Sequence, residues 1–203
     1  MPRRDRRDTV YNGSIHHVVQ RGINRTAIFN EAKDYKQFKH LMRRYLRRFE
    51  INIYNYCLMP NHIHILLYVK EQTHLSKFMQ ALLLAYSWYY RCNYNYSGYL
   101  WQGRYKNFLI EKDSYLLECA RYIERNPLRA NPKMVEDISD YKWSSYNFYS
   151  KGVKDDLITD NLLFETLGKT PKERQLKYKE YLLISRPYEE ALDDIFDTGD
   201  VAP

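Results

Sequence analysis

The spacing of apolar positions changes along the chain, and each change marks an element. Ser14–Gln20, SIHHVVQ, is rich in β-branched residues and predicts a first strand. Arg21–Arg25, RGINR, follows as a turn around Gly22. From Glu31 to about Phe49, Tyr35, Phe38, Leu41, Met42 and Tyr45 recur at helical spacing, with Asn30 placed to cap. Ile51–Leu58, INIYNYCL, predicts a strand with mixed faces. Met59-Pro60-Asn61 breaks it, and His62–Val69, HIHILLYV, returns as the second arm of a hairpin. Leu75–Tyr90 is helical in pattern, Asn93–Gln102 is a loop containing Tyr and Gly, and Tyr105–Ile110 is a strand. Asp113 or Ser114 then caps a helix from Tyr115 to about Arg125, expected to stop before Pro127.

The order β-α-β-β-α-β-α predicts an α+β fold, ferredoxin-like or RRM-like, in which helices pack against an antiparallel sheet. We assign that domain to residues 1–150. Residues 151–160, KGVKDDLITD, read as a polar connection to two short helices, Asn161–Leu167 and Pro171–Ile184. These form a small C-terminal extension over 151–188, followed by an acidic segment, 189–203, expected to be disordered.

Charge narrows the choice of partner. The chain of 203 residues carries a formal +7, but Glu189, Glu190, Asp193, Asp194, Asp197 and Asp200 sit together in a stretch without Lys or Arg. Setting those six acids aside leaves residues 1–188 at +13. Such a body attracts a polyanion by neutralising phosphates and releasing counterions. Arg clusters fall at Arg3, Arg4, Arg6 and Arg7 and again at Arg43, Arg44, Arg47 and Arg48. The three cysteines, Cys57, Cys92 and Cys119, form no Cys-x-x-Cys pair, so neither a disulfide framework nor a structural zinc site is indicated. No apolar stretch follows the opening charges, and the longest apolar run, around Ala81–Tyr86, is too short to span a bilayer. A cytoplasmic protein without a membrane partner is therefore expected. Some of the 21 tyrosines can stack on bases, although most belong at the edge of the core.

His62-Ile63-His64 is the sharpest chemical feature. Residues two apart on a strand share a face, so the two imidazoles form half a shell for a divalent cation while Ile63 anchors the strand in the core. A helix can supply the rest. Tyr122 and Asn126, four apart, share one helical face: Asn126 offers a carbonyl oxygen and Tyr122 a phenol able to attack phosphorus. Tyr115 and Cys119 fall on the same stripe, so spacing alone leaves Tyr115 as a second choice. His17, on the first strand, reads as a core histidine or one supporting a ligand.

MPNHIHILL, LWQGRYKNFLIEKDSYLLECARYIERNPLRA and DYKWSSY follow one another in an order that resembles the HUH single-tyrosine transposase family (IS200-like transposases), and most of all its REP-associated tyrosine transposases. HHVVQRGINRTAIF is similar to that family's opening strand and turn, and the likeness spans about residues 11–149. The resemblance implies Tyr122 as nucleophile, His62 and His64 as metal ligands, and Asn126 as the third ligand, where related transposases often carry the longer Gln. It implies a divalent cofactor, Mg²⁺ or Mn²⁺. It also implies a single-stranded or hairpin DNA substrate cut through a 5′-phosphotyrosine, and a prokaryotic, nucleoid-associated setting. Arg21, Arg25 and Arg104 are candidates to grip phosphates, and Tyr99, Trp101 and Tyr105 to stack on bases. Trp143-Ser144-Ser145-Tyr146 matches the family with packing as its expected role. Three functions stay open at this point: a nicking and joining enzyme, a domesticated binder of DNA or RNA hairpins that does not cleave, and a hydrolase that uses water. Both monomer and homodimer are compatible with the sequence.

Overall fold

The structure, a computed structural model, describes residues 9–111, 113–159, 162–184 and 186. Four strands, β1 (Ser14–Arg21), β2 (Ile51–Met59), β3 (His62–Val69) and β4 (Lys106–Leu109), form one antiparallel sheet in the order β2-β3-β1-β4. Helices α1 (Ala32–Phe49) and α2 (Gln72–Tyr94) cover one face, and α3 (Asp113–Arg129) covers the other. The α+β fold expected from the element order is the one observed. The Arg3–Arg7 cluster and the acidic 189–203 segment lie outside the described residues, as do the side chains of Asp113 and Ser114 expected to cap α3.

Strand alternation decides what each face does. Ile63, Ile65, Leu67 and Val69 of β3 are wholly buried against Phe38, Met42, Phe78 and Leu82 of α1 and α2. Burying each such side chain contributes roughly 1.5–3 kcal/mol, which makes β3 the anchor of the sheet. The intervening positions, His62, His64 and Leu66, turn toward α3. In β2 the register shifts between Ile53 and Asn55, leaving Tyr54 as an extra residue. This bulge rephases the strand, so that Ile53 and Tyr56 both join the α1–α2 layer while Asn55, Cys57 and Met59 face α3. The mixed faces legible in INIYNYCL have this cause.

Several boundaries differ from expectation. Glu31, not Asn30, caps α1, and Asp34 accepts the backbone N–H groups of both Asn30 and Glu31. Helix α2 is longer at both ends than the predicted Leu75–Tyr90. Helix α3 runs through Pro127 to Arg129 instead of stopping near Arg125. Pro127 has no N–H to donate to the carbonyl of Ile123. The Asn126 side chain supplies that bond, its Nδ2 donating to the carbonyls of Ile123 (3.2 Å) and Tyr122 (2.9 Å).

The segment after α3 closes the outer edge of β2. Leu58 N donates to Trp143 O and Ser145 N to Tyr56 O, while the Trp143 ring stacks on Tyr35 at 4.4 Å. Cover of this kind occupies edge groups that would otherwise be open to pairing with another chain. This is the role of the WSSY motif. Helices α4 (Tyr146–Lys151), α5 (Leu162–Thr166) and α6 (Pro171–Leu183) then build a small core of Ile138, Tyr146, Tyr149, Tyr178 and Leu182 against α3. Buried arginines of α3 fasten its end: Arg121 donates to Ile184 O, and Arg125 to Leu182 O and Leu183 O.

Candidate functional site

The site begins at a two-residue turn. Met59 pairs with His62 across Pro60-Asn61. Gly22 N donates to Asn61 O at 2.8 Å, while Ile28 N and Phe29 N both donate to Pro60 O. Only glycine fits at position 22, because a Cβ there would lie 2.4 Å from Thr26 O and 2.8 Å from the Ile28 side chain. The turn is thereby clamped, and Arg21, paired with His62 across the sheet, is fixed at the site's edge.

His62 and His64 stand on the α3 face with ring centroids 4.9 Å apart and planes nearly perpendicular. His62 Nδ1 lies 2.6 Å from Asn61 Oδ1. An amide oxygen only accepts, so this nitrogen carries the proton and Nε2 keeps the lone pair. His64 is 1% exposed, and its Nδ1 lies 2.9 Å from His17 Nε2. Burial first, then the charges of His62, His17, Arg21 and Arg129, hold the His64 pKa well below the usual imidazole range. Burial likewise lowers His17 to about 3. Both rings are therefore neutral at physiological pH, the form in which imidazole binds metals.

Helix α3 delivers the phenol. Tyr122 is 2% exposed, and its ring meets His64 edge-on at 5.7 Å and His17 at 5.9 Å. The helix seats it there by packing Leu116, Cys119, Ala120 and Ile123 onto Cys57, Met59 and Leu66 of the sheet. The guanidinium of Arg129 lies over the Tyr122 ring, 5.2 Å from its centroid. Seven residues apart, the two share a face of α3; Arg129 lies within the segment that resembles the family, but its type and spacing alone gave it no role beside the phenol.

The other candidates divide. Tyr115, two turns before Tyr122 on the same stripe of α3, is 58% exposed, whereas Tyr122 is buried among histidines. Asn126 sits one turn beyond Tyr122; with its Nδ2 bonded to its own helix, its Oδ1 is the atom directed away. Arg25 and Arg104 are exposed in the turn and loop at the end of the sheet. Tyr105 requires correction: it is 7% exposed in the α1–α2 core, so its ring is not offered to bases. Trp101 is half-buried, bridges to Gly22 and donates its indole N–H to Leu83 O, which makes it a packing residue. Tyr99 is 83% exposed.

Among the described residues no group of three His, Cys, Asp or Glu side chains is arranged to hold a metal. The amide oxygen of Asn126, one turn beyond Tyr122, is of the right chemistry for a hard cation. Among those residues, too, no helix is long and apolar enough to cross a membrane.

An antiparallel sheet offering a His-x-His couple to a tyrosine on a facing helix defines a class of protein built around one buried phenol. The chain belongs to the IS200-like transposase family, whose model ("Transposase IS200 like") matches residues 9–126. Members of that family are DNA transposases, enzymes that cut and rejoin DNA strands. A solved structure described as a REP-associated tyrosine transposase bound to a REP hairpin shares the fold, with a TM-score of 0.57 at 16% identity over 75% of this chain and 89% of that one. A protein assigned as a transposase from Deinococcus radiodurans R1 aligns at 18% identity over 57% of this chain and 92% of its own, with a TM-score of 0.42. No curated protein matches the sequence.

Proposed function

We propose that the chain is a metal-dependent tyrosine nickase and strand-transferase acting on single-stranded DNA beside a hairpin. The observation that carries this reading is the approach of the Tyr122 ring to His64 at 5.7 Å, from an element that follows β3 by more than forty residues. Tyr122 is the nucleophile, and Nε2 of His62, Nε2 of His64 and Oδ1 of Asn126 are the donors for a divalent cation. The ion, Mg²⁺ or Mn²⁺, supplies Lewis-acid polarisation of a non-bridging oxygen of the scissile phosphate.

The remaining steps belong to the chain. His17 accepts the Nδ1–H of His64 and so holds the tautomer whose Nε2 lone pair faces outward. Arg129, over the phenol, favours its ionised form, since a free phenol has a pKa of about 10. The Tyr122 oxygen forms a bond to phosphorus, the P–O3′ bond breaks, and the leaving 3′-oxygen takes up a proton. The resulting 5′-phosphotyrosine retains the energy of the phosphodiester, so attack by a 3′-OH rejoins a strand and regenerates the phenol without ATP.

A covalent-adduct assay tests the reading. Incubation with a 5′-tailed hairpin labelled on the 3′ side of the cut, with Mg²⁺ or Mn²⁺, leaves label on the denatured protein, and Tyr122→Phe abolishes it. Label persisting on Tyr122→Phe would overturn the nucleophile. Cleavage without any protein-bound label would favour the water-using hydrolase, and binding without cleavage the domesticated binder.

A further inference from the structure

The outer surface of the α1–α2 layer, on the sheet face opposite the site, is unusual in charge. Six of the residues of α1 are Lys or Arg, apart from Lys33 near its start, and they separate by face. Lys39 and Arg43 turn toward the C-terminal extension, pairing with Asp155 at 2.9 Å and Asp156 at 2.5 Å. Lys36, Arg44, Arg47 and Arg48 are exposed, and among the described residues none of them has an acidic partner. Lys36, His40, Arg44 and Arg47 are spaced four, four and three apart, so they form one ridge along the helix.

Helix α2 lies antiparallel beside this ridge. Asp34, near the start of α1, receives hydrogen bonds from Tyr89 and Tyr94, and Phe49, at its end, meets His74. The middle of α2 therefore runs level with Lys36 and His40, and there it exposes Leu84 (69%) and Trp88 (70%), four apart on one face. From residue 72 to residue 110 the sequence contains no Asp or Glu, while Lys77, Arg91, Arg104 and Lys106 fall within it. The acids of this surface, Glu31, Glu50 and Glu71, stand at the helix ends, and between them lie a basic ridge and an exposed indole, which complement a nucleic acid; a second copy of the chain would set like charges against each other.

We propose that the α1–α2 surface docks the duplex stem of the hairpin. Lys36, Arg44, Arg47 and Arg48 contact its phosphates, and Trp88 with Leu84 receives an unpaired base at its end. This deepens the functional reading above and rests on it for the identity of the ligand. A route to the site is built into the fold at the end of the sheet. Trp101 hydrogen-bonds to Leu83 of α2, Gln102 N bonds to Arg21 O, and Arg21 pairs with His62, with Arg25 and Arg104 exposed along the way. The single strand leaving the stem follows that edge to Tyr122.

The test separates the surface from the chemistry. Anisotropy titrations measure affinity for a fluorescent DNA hairpin carrying a single-stranded tail, across a range of salt. In parallel, adduct formation is scored on the tail oligonucleotide alone at saturating concentration. The variant Lys36→Gln/Arg44→Gln/Arg47→Gln is expected to weaken hairpin binding more than tenfold at low salt and to flatten the dependence of log Kd on log salt by about 2–3, near 0.9 per lost phosphate contact. Its adduct yield on the tail should match that of the unmodified chain. Trp88→Ala should weaken binding with an unchanged salt slope. Cys92, exposed one turn beyond Trp88 while Cys57 and Cys119 are buried, gives an independent footprint: the hairpin should slow its alkylation by maleimide. Unchanged hairpin affinity and slope in both variants would overturn the surface while leaving the chemistry intact. So would an altered mass in solution with DNA affinity untouched, which would assign the face to a second copy. If no adduct forms on any oligonucleotide, the chemical reading fails, and the salt slope still decides the surface.

Discussion

The side chain of Asn126 occupies the hydrogen-bonding position that Pro127 leaves empty, its Nδ2 reaching the Ile123 carbonyl at 3.2 Å. One residue thus extends α3 past a proline and, in the same rotamer, leaves Oδ1 free of the helix to serve as the donor proposed for a cation. Asn126→Asp separates these tasks. The carboxylate is a stronger cation ligand but cannot donate to the two carbonyls, and it adds a negative charge at a helix C-terminus, where charge of that sign is unfavourable. We expect a loss of about 1–3 kcal/mol in thermal or urea denaturation. Adding Pro127→Ala, which restores a backbone N–H for Ile123, should recover part of it. No recovery in the double variant would show that the Asn126–Pro127 relation does not hold the end of α3.

In the proposed site His17 touches no cation, and its role is to accept the Nδ1–H of His64 across the 2.9 Å contact between their nitrogens. His17→Ala should leave the three donors present and weaken Mn²⁺ binding about 10–100-fold, the usual cost of losing a partner behind a metal-bound imidazole. Calorimetric titration of Mn²⁺ into the unmodified and variant proteins measures this. His17→Asn, which keeps a hydrogen-bonding group on β1, should recover some of the loss. Equal Mn²⁺ affinity in all three proteins would exclude His17 from the site.

Much of this arrangement was legible because it follows from period. Alternation in HIHILLYV puts His62 and His64 on one face, and four-residue spacing does the same for Tyr122 and Asn126. The Ile53/Asn55 bulge was not legible as such, since a rephased strand and a half-exposed one give the same mixed pattern. The end of α3 differs from the expectation for a physical reason: the proline rule holds unless a side chain replaces the missing N–H, and Asn126 does so. Tyr105 shows the opposite limit. A tyrosine beside Arg104 in a basic loop looks like a stacking residue, and only the packing of the loop onto α2 reveals it as core.

The guanidinium of Arg129 lies over the Tyr122 ring, 5.2 Å from its centroid. A cation held over the ring stabilises negative charge that develops on the phenol during attack, so its removal should slow adduct formation. Arg129→Ala should slow the single-turnover adduct rate at saturating DNA by about tenfold. Arg129→Lys should retain part of the rate, since it keeps the charge and loses the planar fork. An unchanged single-turnover rate together with weaker DNA binding would point instead to a contact with the DNA.

Glu124 lies two residues from Tyr122 but on the other side of α3, fully buried between the sheet and the C-terminal helices. Its carboxyl accepts hydrogen bonds from Asn55 (2.8 Å), Tyr178 (2.9 Å) and Ser145, joining β2, α6 and the WSSY segment. Burial outweighs these donors and pushes its pKa up to about 7 from an ordinary value of 4.5. Between those values the folded chain holds a proton that the unfolded chain releases. The associated stability is therefore complete below about pH 4.5 and lost as pH rises through 7, a difference of about 3 kcal/mol. The buried neutral His16, His17 and His64 act in the opposite sense, costing stability as pH falls below 6.5. Their opposition hides the effect of Glu124 in the unmodified protein, and Glu124→Gln uncovers it. Gln keeps an oxygen for Asn55 and Ser145 and offers its NH₂ to the Tyr178 hydroxyl. Urea denaturation from pH 5 to 8 should show the variant gaining on the unmodified protein by roughly 2–3 kcal/mol across the range. A constant difference between the two would mean that Glu124 stays ionised in the fold and that its three donors, not its burial, set its charge.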